Sequence, residues 1–240
     1  MRLDKFFTTV GLLSRRETAQ AVRRGRITVN GIAARAQDMA IDPERDAVTL
    51  DGERVVYREF VYLWLNKPRG YVSATEDGKL PVVTELAPPE YARLELFPCG
   101  RLDRDTVGLL LLTNDGALTH ALLSPKRGVT KVYRFTTETP LPKEAEARLL
   151  EGITAGGEVF RSAHLAADGD RLGGTVTLTE GKYHEVKRMM AALGAPIRTL
   201  ERIAFAGIPL DPRLARGECR PATEDEIAAL KAAAGFHTNT

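Results

Sequence analysis

The sequence predicts an α+β fold of two modules, a small helix-plus-hairpin module over residues 1–60 and a larger domain over residues 61–240. A chain of 240 residues can bury one good core together with a small second module. A helix signal followed by a hairpin signal occupies the first 35 residues. After residue 61, helix and strand signals mix without a strict βαβ rhythm, which favours a mainly antiparallel mixed sheet with flanking helices.

The helix of the first module has a recognisable signal at each end. Ser14 and Glu17 have the spacing of a capping box, and Gly25 supplies a residue that favours the left-handed turn at a helix C-terminus. The Asn30-Gly31 pair that follows is a strong hairpin signal between two short strands. The module is therefore predicted to be a helix followed by a β-hairpin.

Basic residues concentrate in this module, although the net charge of the whole chain is only +2. Residues 1–35 hold eight Lys or Arg and two Asp or Glu, whereas residues 36–60 hold three and seven. A locally basic face on a near-neutral protein favours a polyanion, and the planar fork of arginine pairs well with phosphate. The alternative is that these basic residues form a solvent-exposed helix face that binds no polyanion. We expect RNA contacts, mainly to phosphate, from Arg2, Lys5, Arg15, Arg16, Arg23, Arg24 and Arg26.

The second module contains four strand signals and four helix signals. The leucine run at residues 109–112 lies between a glycine and a Thr-Asn-Asp-Gly turn signal, which is typical of a fully buried strand. Further strands are expected over residues 61–65, 131–137 and 175–179. Helices are expected after Asn114 or Asp115, over residues 143–150 and 185–193, and after the capping box at residues 223–226.

The helix over residues 185–193 has a clear apolar face, formed by Val186, Met189, Met190 and Leu193. Lys187 then lies on the flank of that face, and Arg188 points nearly the opposite way. A cation in the first turn of a helix interacts unfavourably with the helix dipole, at a cost of about 0.3–1 kcal/mol each. We therefore expect anions near Lys187 and Arg188 that compensate for this cost. Asp103 is the candidate anion for Lys187, and an RNA phosphate is the candidate anion for Arg188. The alternative is that both cations simply face solvent and have no anionic partner.

Five short segments carry a further signal. They are Met-Arg-Leu-Asp-Lys-Phe at 1–6, Leu-Asn-Lys-Pro-Arg-Gly-Tyr at 65–71, Gly-Arg-Leu-Asp-Arg-Asp-Thr-Val-Gly-Leu at 100–109, Lys-Val-Tyr at 131–133, and Glu-Gly-Lys-Tyr-His-Glu-Val-Lys-Arg-Met at 180–189. The first resembles the start of an S4-type RNA-binding module. The other four resemble, in order, the catalytic-domain motifs of the pseudouridine synthases that modify ribosomal RNA. The resemblance thus implies an S4-like module before a pseudouridine synthase domain.

The same resemblance implies roles for individual residues. It makes Asp103 the catalytic carboxylate, Lys187 its cationic partner, Tyr133 the platform on which a flipped uracil stacks, and Arg101 the side chain that fills the gap in the RNA. Asp105 is a competing carboxylate, expected instead to order neighbouring backbone or Thr106. The sequence leaves open whether Asp103 attacks the sugar, attacks the base or removes a sugar proton.

The expected substrate is ribosomal RNA or a ribosomal-subunit assembly intermediate. Tyr183 and His184, just before Glu185, resemble the type that acts on 16S RNA of the small subunit. A 23S RNA enzyme and a catalytically inactive ribosome-assembly factor are the alternatives.

Composition limits the other classes of function. The longest apolar run is far short of the ~20 residues that span a bilayer. Two cysteines, Cys99 and Cys219, form neither a disulfide framework nor a metal-ligand spacing, and the first residues lack the apolar core of a signal peptide. Uridine isomerisation needs no redox change, metal or nucleotide. We therefore expect a cytoplasmic, monomeric enzyme without cofactor or metal and away from membranes.

Overall fold

The computed structural model describes residues 1–236 and separates into two compact units. The first contains Met1–Val61 together with Pro88–Leu96, and the second contains Tyr62–Ala87 and the chain after Leu96. The segment Pro88–Leu96 was assigned to the second domain by the predicted boundary at residue 60. It groups with the first unit because it packs there, where Arg93 Nη2 donates to Glu17 Oε1 over 2.9 Å.

The first unit has two helices followed by a small sheet. Its elements are α1 (Leu3–Thr9), α2 (Arg15–Arg23), β1 (Ile27–Val29), β2 (Ile32–Ala33), β3 (Val48–Leu50) and β4 (Glu53–Arg54). The four strands are antiparallel in the order β2-β1-β3-β4. The predicted capping box of Ser14 and Glu17 is present, and Val29 pairs with Ile32 across the predicted hairpin, so both predictions are confirmed.

Helix α1 was not predicted, because the side chain of its N-cap residue Arg2 makes no capping hydrogen bond and so leaves no local signal. The helix owes its stability to packing: Leu3, Phe6 and Phe7 are buried, and all three belong to the apolar cluster that is the core of this unit. Ile27 of β1 belongs to the same cluster.

The second unit contains the remaining helices and strands. Its strands are β5 (Tyr62–Lys67), β6 (Phe97–Pro98), β7 (Val107–Thr113), β8 (Lys131–Thr137), β9 (Ile153–Ala155), β10 (Glu158–Phe160), β11 (His164–Ala167), β12 (Gly173–Leu178), β13 (Ile197–Phe205), β14 (Ile208–Pro209) and β15 (Cys219–Pro221). Its helices are α3 (Gly116–Leu123), α4 (Ala145–Glu151), α5 (Glu185–Ala192) and α6 (Glu224–Ala233).

One large sheet organises this unit. Its main path runs β11-β12-β8-β13-β7-β5-β15, with β14 beside β13 and β6 beside β7. The pair of β13 and β7 is parallel, and the other pairs of named strands in this sheet are antiparallel. The predicted α+β class with a mainly antiparallel mixed sheet is confirmed. Strand β13 was not predicted, because Arg198, Glu201 and Arg202 interrupt its apolar alternation.

Strand β7 is buried on both faces, as predicted for the leucine run. Leu109 and Leu111 pack in one cluster with Leu118 of α3 and Leu230 of α6. The intervening leucines are also buried. The loop that carries Asp103 therefore leads directly into the interior of a rigid sheet.

The predicted apolar face of α5 is confirmed, since Val186, Met189, Met190 and Leu193 are all buried.

Within residues 1–236, no helix has both the length and the apolar character needed to cross a lipid bilayer.

Candidate active site

A cavity of about 1070 Å³ lies in the second unit, beside the loop that precedes β7. Pockets that bind small molecules are usually about 300–1,000 Å³, so a nucleotide has ample room. The residues of this loop that line the cavity include Arg101 and Asp103. Tyr133 of β8, Lys187 of α5 and Arg202 of β13 also line it. Four segments that are distant in sequence therefore meet around one space.

The Asp103 carboxylate and the Lys187 ammonium form an ion pair, with 3.0 Å between Oδ2 and Nζ. The ammonium also lies 2.6 Å from Oδ1 of Asp105. Burial lowers the pKa of Lys187, but the two carboxylates outweigh burial and leave that pKa raised. The lysine thus stays charged at neutral pH and holds the Asp103 carboxylate in place. The contact predicted from the flank of α5 is present.

Asp105 has one partner beyond those expected. It was expected to order nearby backbone or Thr106; its carboxylate accepts a backbone hydrogen bond from its own residue and also binds Lys187. Burial is the largest single effect on the pKa of Asp105 and raises it. The hydrogen bond from Lys187, the lysine charge, a backbone hydrogen bond and the charge of Arg69 together outweigh burial and leave that pKa lowered. A single ammonium therefore joins both carboxylates of the loop.

Lys67, at the end of β5, fixes the backbone of the same loop. Its side chain is fully buried, and Nζ lies 3.0 Å from the carbonyl oxygen of Asp103, 2.9 Å from that of Thr106 and 3.4 Å from that of Arg104. It also donates to the carbonyl oxygen of Pro68 over 3.2 Å. Burial lowers the pKa of Lys67 to about 8. The ammonium acts as a bridge that ties three carbonyl groups of the loop to β5.

His184 lies on the other side of the Asp103 carboxylate, with 3.5 Å between Nε2 and Oδ1. It precedes α5 in a left-handed conformation with φ of 51°, which is uncommon for a residue with a side chain. Its ring stacks on Tyr183, with 3.8 Å between the centroids. The unusual backbone conformation directs the imidazole to the carboxylate while α5 begins at the next residue.

Tyr133 offers an aromatic surface inside the cavity. It is 9% exposed, and β8 places Lys131, Tyr133 and Phe135 on one buried face, as predicted. Burial raises the pKa of Tyr133, so the phenol is neutral at physiological pH. Arg101 is exposed at the rim of the same cavity.

Comparison with known proteins agrees with this geometry. The profile of the RNA pseudouridylate synthase family matches residues 61–192. The chain belongs to this family. It is 44% identical over 234 residues to an uncharacterized RNA pseudouridine synthase of Bacillus subtilis, YtzG, covering 96% of this chain and 98% of that one. It is 37% identical over 234 residues to ribosomal small subunit pseudouridine synthase A of Escherichia coli K12, covering 96% and 100%.

A solved structure supports the same assignment. A crystal structure of a pseudouridylate synthase is 36% identical and has a TM-score of 0.67, covering 96% of this chain and 99% of that chain. The similarity includes the first unit as well as the matched catalytic region, because nearly the whole of each chain is aligned.

Arg188 makes its contacts within the protein away from Asp103, and its contact with an RNA phosphate stays a prediction. Its Nη1 lies 2.6 Å from Glu158 Oε2, and its Nη2 donates to the carbonyl oxygen of Ala155 over 2.8 Å. The guanidinium also lies over the Phe160 ring, 4.7 Å from the centroid. The hairpin of β9 and β10, which was not predicted, brings these partners to α5.

The basic residues predicted to bind RNA are all exposed in the first unit: Arg2, Lys5, Arg15, Arg16, Arg23, Arg24 and Arg26. Two of them have carboxylate partners, since Arg2 Nη2 lies 2.8 Å from Asp4 Oδ2 and Arg26 Nε donates to Asp51 Oδ1 over 2.7 Å. Arg15, Arg16 and Arg23 belong to α2, and Arg24 is its C-cap. Apart from Lys5 of α1, the remaining positive charge is therefore concentrated on α2 and its end.

Sequence reasoning missed three groups around Asp103: Lys67, His184 and Arg202. Lys67 lies in the second of the five motifs, where Asn-Lys-Pro indicates the end of a strand and gives no sign of full burial. His184 lies in the fifth motif, and nothing in that motif predicts its contact with Asp103. Arg202 lies on β13, which was itself not predicted. Within residues 1–236, no cluster of three or more His, Cys, Asp or Glu is arranged to hold a metal ion.

Proposed function

We propose that this protein converts a uridine of small-subunit ribosomal RNA to pseudouridine, with Asp103 as the catalytic carboxylate. The observation that carries the proposal is the ion pair of Asp103 and Lys187 at a cavity of nucleotide size. The proposed substrate rests on the named function of the small-subunit enzyme of Escherichia coli, which this chain matches over nearly its whole length.

The ion pair suits a carboxylate that must stay ionised next to a bound nucleoside. Filling the cavity with RNA removes water, which disfavours a bare charge, and the Lys187 ammonium offsets that cost. The carbonyl groups held by Lys67 keep the loop from turning Asp103 away. Lys187 and Lys67 therefore position the carboxylate, and Asp103 acts on the nucleoside.

A uridine must leave its helix stack to reach Asp103, which costs a few kcal/mol. Tyr133 is proposed to recover part of this cost by stacking on the flipped uracil, since aromatic stacking contributes about 1–3 kcal/mol per base. Arg101, exposed at the rim, is proposed to occupy the space that the base leaves. Arg188 is proposed to hold the β9–β10 hairpin against α5.

The first unit is proposed to be an S4-like module that binds rRNA phosphates through the charge of α2. Replacing Arg15, Arg16, Arg23 and Arg24 with glutamine removes four candidate phosphate contacts. The slope of log affinity against log salt concentration should then fall by about 3, since each contact contributes about 0.7–0.9. An unchanged slope would show that the RNA lies elsewhere. The protein is proposed to act as a cytoplasmic monomer without a cofactor, on free rRNA or on an assembly intermediate.

The proposed function is tested by the isosteric change Asp103→Asn. Purified protein is incubated with small-subunit rRNA, and pseudouridine is detected by carbodiimide modification and primer extension. The wild type should form one pseudouridine, and D103N should bind the RNA with similar affinity but form none. Asp225→Asn at the exposed start of α6 controls for the loss of one carboxylate. Product formed by D103N at the wild-type rate would remove Asp103 from the reaction.

The substrate is tested separately in cells with and without the protein. Pseudouridines are mapped in both ribosomal RNAs, and one site in the small-subunit RNA should vanish in the absence of the protein. Loss of a site in large-subunit RNA instead would correct the substrate, and an unchanged map would favour a binding role in assembly. Comparing naked RNA with assembly particles as substrates in vitro then identifies the form that is modified.

A further inference from the structure

Arg202 is an unusual buried charge in the wall of the cavity. It lies in β13, is only 2% exposed and lines the cavity. Its Nε donates to the carbonyl oxygen of Leu109 over 2.7 Å, and its guanidinium lies 5.1 Å from the centroid of the Phe205 ring. Its Nη2 is buried and donates to no group within residues 1–236. A buried charged donor without an acceptor is costly, so a function should compensate for that cost.

The surroundings of Arg202 leave the positive charge largely uncompensated. Its sequence neighbour Glu201 is engaged by Arg216, with 2.7 Å between Oε1 and Nη2. A second buried cation, Lys131, is close enough for Arg202 to contribute to the lowering of its pKa, behind the larger effect of burial. Glu185 is the carboxyl group that faces Lys131. This part of the wall is therefore suited to an acceptor that carries negative charge.

The register of the sheet places Arg202 next to the groups already assigned to the nucleoside. In the ladder of β13 and β8, Arg202 is paired with Tyr133. In the parallel ladder of β13 and β7, it is paired with Gly108, at the end of the Asp103 loop. The guanidinium also makes a side-chain hydrogen bond to the Tyr133 phenol. A base stacked on Tyr133 would lie beside the Arg202 side chain, which lines the same cavity.

The reaction itself produces a suitable acceptor. When the bond between C1′ and N1 breaks, the electron pair remains on N1 and is delocalised onto the O2 and O4 carbonyl oxygens. The detached uracil is then an anion until C5 bonds to C1′ and the proton lost from C5 is replaced by one on N1. Lys187 is already held by two carboxylates, so it is poorly placed to neutralise the base.

We propose that the guanidinium of Arg202 donates a hydrogen bond to a carbonyl oxygen of the flipped uracil and stabilises the negative charge of the detached base. This role rests on the proposed function and extends it from Asp103 to the leaving group. Preorganised donors of this kind typically contribute about 10²–10³-fold to the rate of the chemical step.

The proposal is tested with Arg202→Met, which removes the charge, and Arg202→Lys, which keeps it. The single-turnover rate on rRNA should fall at least about 100-fold in R202M, while the Kd for the RNA should change less than threefold. Arg198→Met, an exposed arginine on the same strand, is the matched control and should keep the wild-type rate. An R202M rate within threefold of the wild type would overturn the proposal.

A binding measurement separates this role from a merely structural one. Free uracil, which is neutral at pH 7.5, is compared by calorimetry with the anion of 5-nitrouracil, an acidic uracil. The wild type and R202K should bind the anion at least tenfold more tightly than neutral uracil, and R202M should lose this preference. A structural role would lower the thermal stability of both variants without changing the ratio of affinities. If R202M does not fold, the test rests on the wild type alone. Equal affinities of the wild type for uracil and for the 5-nitrouracil anion would then overturn the proposal.

The two proposals can fail independently. If the wild type makes no pseudouridine in rRNA, the proposed function fails, but the comparison of uracil with 5-nitrouracil still tests Arg202. If the wild type is active and D103N is not, while R202M keeps both its rate and its preference for the anion, only the role of Arg202 is wrong.

Discussion

The buried carboxyl group of Glu185 should make the stability of this protein depend on pH in a specific direction. Glu185 is the first residue of α5 and is 4% exposed. Its Oε2 accepts a hydrogen bond from the Lys182 amide over 2.9 Å, whereas its Oε1 is buried and has no hydrogen-bond partner within residues 1–236. Burial, with a smaller contribution from Glu180, raises the pKa of Glu185 from 4.5 to about 7.

The direction in which stability changes with pH depends on whether the folded or the unfolded state holds the proton. Between pH 4.5 and 7 the folded protein keeps a proton on Glu185 that the unfolded chain releases. Folding is therefore favoured at the acidic end of this window. The contribution of Glu185 to stability is lost as pH rises through 7. One pKa unit corresponds to 1.36 kcal/mol, so a shift from 4.5 to about 7 amounts to about 3 kcal/mol of unfolding free energy.

Glu185→Gln removes the titration and keeps the shape of the protonated carboxyl group. The free energy of unfolding of E185Q minus that of the wild type should rise by about 2.5 kcal/mol between pH 5 and pH 8, because the unfolded chain has already released part of the proton at pH 5. Urea denaturation at several pH values measures this difference. Glu151→Gln, an exposed carboxylate at the end of α4, is the control for loss of one charge. A difference that stays constant within about 0.5 kcal/mol across this range would refute the reasoning, since surface substitutions vary by this much.

Three further predictions concern the loop that carries Asp103. Lys67→Met leaves buried carbonyl groups without their donor and should lower the unfolding free energy in urea by about 2–4 kcal/mol, whereas a small effect would mean that water replaces the ammonium. Asp105→Asn removes a pair whose carboxylate side chain is 56% exposed, so the single-turnover rate should fall at most about fivefold, and a loss like that of D103N would make both carboxylates essential. Gly108→Ala should lower the melting temperature sharply, because φ is +104° and a Cβ would lie 2.3 Å from the Arg202 carbonyl oxygen. Gly116→Ala, where a Cβ meets open space, should not lower it.

The sequence predicted local features well because their signals are local. The capping boxes of α2 and α6 and the apolar face of α5 depend on residues three or four positions apart, and all three are present. The position of Lys187 on the flank of that face indicated a compensating anion, and the resemblance implied that Asp103 supplies it; the contact is present although 84 residues separate the two. Helical geometry fixes the direction of a side chain once the buried face is known.

Features that depend on distant pairing could not be predicted in the same way. Asp105 lies two residues after Asp103, a spacing that allows both carboxylates to share one side of the loop, but it does not indicate that both bind the Lys187 ammonium. The partner of Arg188 comes from a short hairpin whose residues 153–160 give weak strand signals. Arg202 looks like a solvent-facing charge in sequence, since arginine is almost never fully buried without a partner.

The register of β13 explains why the candidate site forms where it does. The same residue of this strand, Arg202, is paired with Tyr133 in β8 and with Gly108 in β7. The close approach at Gly108 leaves no room for a side chain, and Arg202 Nε is fixed to the carbonyl oxygen of the next residue in β7. A slip of one residue would turn Arg202 out of the cavity, because successive side chains of a strand point to opposite faces. The separation between Tyr133 and the Asp103 loop is therefore set by two ladders of backbone hydrogen bonds, which makes it more rigid than a separation set by side-chain contacts alone.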